Sequence, residues 1–91
     1  MNRFTLPIFL LFTAAVSTMS QPAAVTAQDV KAEFLHAWNA YKQYAWGHDA
    51  LKPLTRRPHD WHAVSLMMTP VDAFDTMLLM GLTNEAREAK H

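Results

Sequence analysis

Apolar and polar positions fall into three successive rhythms along the second two-thirds of the chain. Between Asp29 and Trp46, the residues Val30, Phe34, Ala37, Trp38, Tyr41 and Ala45 recur at i, i+4, i+7, i+8, i+11 and i+15. That recurrence marks one face of an α-helix. The spacing predicts a helix over 29–46. Asp29 is the expected cap, accepting from the free N–H groups of the first turn. Gly47 stands where a helix closes on a left-handed residue. Lys31, Asn39, Lys42 and Gln43 fall away from the stripe and are expected in solvent.

The stretch 48–68 carries Pro53 and Pro58 and shows no sustained period. It predicts a long ordered loop, because Leu51, Leu54, Trp61, Val64 and Leu66 are too apolar for a free linker, and loops of this length usually carry function or cover something. Trp38 belongs to the apolar stripe and is expected in the core. Trp61 is the tryptophan best placed to stack on a sugar, but cover for the core is the favoured reading.

In the third rhythm, Thr69-Pro70-Val71-Asp72 combines an N-cap threonine, a first-turn proline and an acid three residues after the cap. A helix is predicted over 71–80, stopped by Gly81. Val71, Ala73, Phe74, Met77, Leu78, Leu79 and Met80 make it apolar nearly all round, the pattern of a buried helix. Met67, Met68, Met77 and Met80 read as gap-filling core residues. Asp72, Asp75 and Thr76 form a narrow polar stripe at i, i+3 and i+4. Carboxylates on a buried helix are costly unless paired or lining a wet cavity. The two aspartates therefore either border a polar pocket or do structural work, Asp72 by capping through the N–H of Thr69 and Asp75 through a buried ion pair. A further helix starts at 83–91, capped by Thr83 or Asn84, with Glu85 and Glu88 set against Arg87 and Lys90.

The N-terminal third reads as an address. Met1-Asn2-Arg3 is a short positive start, Phe4 to Val16 is apolar apart from two Thr and one Pro, and a small polar stretch ends in Val25-Thr26-Ala27. This is the layout of a secretory signal peptide over 1–27, cleaved between Ala27 and Gln28. The apolar run falls short of the ~20 residues that cross a bilayer. Export, to the periplasm or the outside if the source is bacterial, is the expectation.

Composition narrows the chemistry. The 8 Lys+Arg balance the 8 Asp+Glu, which excludes the broad basic field of a nucleic-acid or polybasic membrane binder. A hydrophobic fraction of 51% excludes a disordered acidic tail. With no cysteine, disulfides, thiolate catalysis and Cys-ligated zinc are excluded. His59, Asp60 and His62 share a loop, but two imidazoles and one carboxylate do not close a metal site, and no metal ligand is assigned. Two helices and a stub make a poor core for residues 28–91, where burial would barely offset ordering entropy. They read as part of something larger.

Two blocks carry a family resemblance. Phe34-Leu35-His36-Ala37-Trp38, Tyr41, Tyr44-Ala45-Trp46-Gly47-His48-Asp49 and Leu51-Lys52-Pro53 resemble the opening of glycoside hydrolase family 47, the class I α-1,2-mannosidases. Thr69-Pro70-Val71-Asp72-Ala73-Phe74-Asp75-Thr76, then Met80-Gly81-Leu82 and Glu85-Ala86, resembles that family's next helix. The order and spacing agree in both blocks, over essentially all of Val30 to Lys90. Ala50 departs from the pattern, where an acid is usual after His-Asp, as does Met67-Met68, which replaces the common Gly-Leu.

The resemblance implies an all-α fold. It makes 28–91 the N-terminal part of the catalytic domain, the first one and a half helical hairpins of an (α/α)7 barrel left incomplete in this chain. It implies an inverting hydrolase of mannose-containing oligosaccharides or glycoprotein glycans, with calcium ligating sugar hydroxyls. Asp72, Asp75 and His48 are the candidate substrate-binding positions: the resemblance puts an active-site carboxylate at Asp72, and His48 would be a rim contact, although a structural turn is the favoured reading of His48-Asp49. The family's F-E-[ST] segment, its later catalytic acids and its calcium-anchoring threonine all fall beyond His91, so the chain alone is expected to hydrolyse nothing. No nucleic-acid partner is expected, and no membrane partner after signal cleavage. Two alternatives remain: a glycan-binding relative without turnover, and a small exported helical protein that buries its apolar helix by self-association.

Overall fold

The structure is a computed structural model that describes residues 20–91; most of the expected leader, 1–19, lies outside the described residues. The element order is α1 (Ala27–Ala45), β1 (Ala50–Lys52), β2 (Arg57–His59), α2 (Met68–Leu79) and α3 (Thr83–Ala89). The predominantly helical character agrees with the expectation.

Helix α1 begins earlier than its apolar stripe. Thr26, not Asp29, is the N-cap. The Asp29 N–H donates to Thr26 Oγ1 at 3.2 Å, and Asp29 Oδ2 accepts from the Thr26 N–H at 2.8 Å. This reciprocal capping box satisfies two donors that the helix itself leaves free. The bonds from Thr26 hold the Asp29 carboxyl below its usual value. The first turn thus spans the Ala27–Gln28 bond at which cleavage was expected. At the other end Gly47 takes φ +86, the left-handed closing position its place in the sequence predicts.

The stretch expected to be loop contains a short antiparallel ribbon, with Ala50, Leu51 and Lys52 opposite His59, Pro58 and Arg57. Pro58 is tolerated because a two-stranded ribbon has only edge strands, where a missing N–H leaves no ladder bond broken.

Helix α2 corrects two expectations. It starts at Met68, with Met67 as a left-handed N-cap at φ 54 that makes no side-chain capping bond. Thr69 is no cap, because its hydroxyl donates instead to the Asp49 carbonyl at 2.7 Å. Nor is the helix buried all round. Met77 and Pro70 are enclosed, while Val71, Leu78 and Leu79 are open, Leu79 at 89% exposure. The described residues cover one face of α2 and leave the other bare. The methionines divide accordingly, with Met77 in the core and Met68 at the surface.

The core gathers Trp38, Tyr41 and Ala45 of α1, Met77 of α2 and Ala86 of α3, with Phe34, Leu51, Ala73, Phe74, Leu82 and Ala89 around them. Trp38 lies there as expected, stacked on Tyr41 at 5.5 Å between centroids. Helix α3 has Leu82 as N-cap with no side-chain bond, so neither Thr83 nor Asn84 caps it. Glu88 reaches across to α1, accepting from Lys42 Nζ at 2.8 Å and from Trp38 Nε1 at 3.2 Å, rather than pairing along its own helix. Lys42 is thereby drawn partly out of solvent.

Candidate functional site

The centre of the molecule's polar organisation is Asp49, a fully enclosed carboxylate at 0% exposure. It follows Gly47 and His48 immediately, so the left-handed turn that ends α1 swings it inward. Its Oδ1 accepts from the Leu66 N–H at 2.6 Å, the Ser65 hydroxyl at 3.2 Å and the Met68 N–H at 3.3 Å. Its Oδ2 accepts from the Trp61 N–H at 3.2 Å. The Met68 N–H belongs to the first turn of α2, so Asp49 is the cap that Met67 and Thr69 do not provide. Burial works against the charge and pushes the Asp49 carboxyl up, but the donations from Leu66, Trp61, Met68 and Ser65 outweigh it and hold the group below its usual value.

Asp60 completes the knot. Its Oδ1 accepts from the Asp49 N–H and its Oδ2 meets His48 Nδ1, both at 2.8 Å. The His48 bond, then the Asp49 N–H, hold the Asp60 carboxyl below its usual value. The Tyr41 hydroxyl donates to the His48 carbonyl at 2.7 Å. Burial, then the Asp49 charge, raise the phenol's pKa.

Of the three expected substrate-binding residues, only His48 lies in this knot. Its side chain is 44% exposed, with Nδ1 taken by Asp60 and Nε2 without a partner among the described residues. Asp72 and Asp75 lie on α2, exposed, and neither carboxylate bonds to a side chain or backbone donor among the described residues. Their expected structural roles do not hold: the Thr69 N–H goes to the Asp49 carbonyl at 3.0 Å, and among the described residues no cation pairs with Asp75. No hydrogen bond joins the two aspartates to His48.

Trp61 does not cover the core. It is 57% exposed, its ring edge-on to His59 with centroids 5.5 Å apart. With Asp60 turned inward and the Trp61 N–H bound to Asp49, the indole is left facing out. The described residues contain no group of three or more His, Asp or Glu side chains able to hold a metal ion. Asp60, which shares its loop with His59 and His62, spends both oxygens on His48 and Asp49.

His48-Asp49 makes the hydrogen-bonded turn favoured for it, but the reach of Asp49 to Trp61, Ser65, Leu66 and Met68 was not visible in the pattern. The available signal was an acid between a helix-ending glycine and an apolar strand, where a carboxylate has no reason to be unless it is bound.

The sequence model of glycosyl hydrolase family 47 matches residues 33–91. The chain belongs to that family. Among curated proteins, the human endoplasmic reticulum mannosyl-oligosaccharide 1,2-alpha-mannosidase is 49% identical over 57 residues, covering 63% of this chain and 8% of the relative. Mannosyl-oligosaccharide alpha-1,2-mannosidase IA of Drosophila melanogaster is 40% identical over 79 residues, 84% of this chain and 12% of the relative. The pig mannosyl-oligosaccharide 1,2-alpha-mannosidase IA is 37% identical over 89 residues, 92% of this chain and 14% of the relative. The chain therefore spans roughly a tenth of the length of these family 47 relatives.

Proposed function

We propose that residues 28–91 are the opening of an exported, inverting α-1,2-mannosidase-type hydrolase of mannose-containing glycans, and that this chain alone has no turnover. The observation that carries the reading is the family 47 match across residues 33–91, with relatives that are mannosyl-oligosaccharide mannosidases by name. In an inverting glycosidase, one carboxylic acid protonates the leaving oxygen while a carboxylate on the opposite face of the sugar activates water. Neither role is assigned to this chain. Its contribution would be to substrate contact: Asp72 and Asp75 as acceptors for sugar hydroxyls, and His48 Nε2 as a rim contact. Their exposure and free polar atoms support those roles.

Calcium is the cofactor that the family implies. The described residues do not fit it by their acidic side chains, since they gather no group of three or more His, Asp or Glu side chains. We place its ligands outside this chain.

The deciding experiment is to sequence the gene past the codon for His91. An open frame running into further helical hairpins is expected; a stop with no such frame nearby would overturn the reading. Release of mannose from an α-1,2-linked mannobiose by the purified 91-residue chain would overturn its inactivity. One observation favours a second reading, self-association: the open apolar face of Val71, Leu78 and Leu79. Helicity that rises with concentration would support it, and a concentration-independent spectrum would count against it.

A further inference from the structure

We propose that Arg56 holds an oxyanion, the carboxylate or phosphate of a small ligand with an apolar body, in the groove between α1 and the β-ribbon. This groove, of about 440 Å³, is lined by His36, Asn39, Gln43 and Tyr44 of α1, by Leu51 of β1, and by Pro53 and Arg56 of the turn that joins β1 to β2. That volume lies in the range of small-molecule sites, which join an apolar wall to a few convergent polar groups. Here Tyr44, Leu51 and Pro53 supply the wall, and Asn39, Gln43 and His36 supply hydrogen-bonding side chains.

Among the described residues no carboxylate lines the groove and Arg56 makes no ion pair. Its guanidinium carbon sits 5.6 Å from the centre of the Tyr44 ring. An arginine parked on an aromatic face keeps its in-plane N–H fork free, and that fork matches the geometry of a carboxylate or phosphate. Holding the fork before the ligand arrives lowers the ordering cost of binding.

The backbone gives an independent reason. Arg56 takes φ 54 at the last position of the turn joining β1 to β2. Glycine or asparagine usually fills a left-handed site of this kind, since a side chain there costs free energy. A bulky residue kept at such a position is a reason to look for what its side chain does.

The test is titration of the 91-residue chain with phenyl phosphate, benzoate and phenol, followed by nuclear magnetic resonance shifts of Tyr44 and Arg56. Saturable millimolar binding of at least one anion is expected, with phenol binding at least tenfold weaker. Tighter binding of phenyl phosphate names phosphate as the head group; tighter binding of benzoate names carboxylate. Arg56→Gly should weaken the anion at least tenfold while melting no lower than the parent chain, because glycine accepts the left-handed backbone. Arg57→Gln, which removes the neighbouring charge from outside the groove, should change binding less than twofold. Absence of saturable binding, phenol binding as tight as the anions, or equal losses in the two variants would overturn the proposal.

Discussion

The carboxylate of Asp49 accepts the backbone N–H of Met68 at 3.3 Å, closing the first turn of a helix that begins nineteen residues downstream. Helix α2 is thus capped by a side chain from the end of the preceding helix rather than by its own leading residues. Removing the acceptor should leave the Trp61, Leu66 and Met68 N–H groups and the Ser65 hydroxyl without their shared partner. Asp49→Ala is expected to lower the melting temperature of the chain by on the order of 10 °C in circular dichroism. A change within error would show that water replaces the carboxylate at no cost.

Acid should loosen the same knot. Asp49 and Asp60 both titrate below the usual 3.8 in the folded chain. A depressed carboxyl stabilises the fold above its unfolded pKa, and that stabilisation is lost as pH falls through the folded value. Stability in urea should therefore stay flat from pH 7 to about pH 5 and drop below about pH 4. Asp60→Asn should shallow that drop, and an unchanged profile in the variant would remove Asp60 as a contributor.

The capping box at the start of α1 has a local signature. Thr26→Ala removes the hydroxyl that accepts the Asp29 N–H at 3.2 Å. Amide exchange over 27–30 should quicken roughly fivefold, the equivalent of a typical N-cap loss. Exchange in the middle of α1 should not change.

Two residues on α2 should respond oppositely to the same truncation. Met77 is fully enclosed, and Met77→Ala should cost about 2–5 kcal/mol in chemical denaturation. Leu79 is almost fully exposed, and Leu79→Ala should stay within about 0.5 kcal/mol. A large loss at Leu79 in concentrated solution but not in dilute solution would identify that side chain as a contact between copies.

The first two helices were legible in the sequence because each carries a run of apolar positions and a glycine stop: Phe34, Trp38, Tyr41 and Ala45 recur on one face of α1, and Gly47 and Gly81 both adopt the left-handed backbone that ends a helix. Helix starts were harder to read. The apolar period puts the α1 cap at Asp29, whereas Thr26 is the N-cap and the two bond reciprocally. The α2 start could not be found locally, because its acceptor is Asp49 and local patterns carry no information about a partner so distant in sequence. The β1–β2 ribbon was hidden by its shortness, three residues a strand and a proline in one of them. Of the expected sugar-binding positions, Asp72 and Asp75 stand out in the sequence as a polar stripe on an otherwise apolar helix, whereas His48 shares no period with them, and no bond among the described residues unites the three.

A carboxylate bound at once by Trp61, Ser65, Leu66 and Met68 also governs how this stretch can move. Residues 61–68 form no regular element until α2 begins, yet they cannot swing away one at a time, since releasing any one donor leaves a buried charge less satisfied. The amides of Trp61, Leu66 and Met68 should exchange with solvent at a single shared rate, as one cooperative opening that also unravels the first turn of α2. The segment most irregular in outline is in this sense a latch, closed by one oxygen pair.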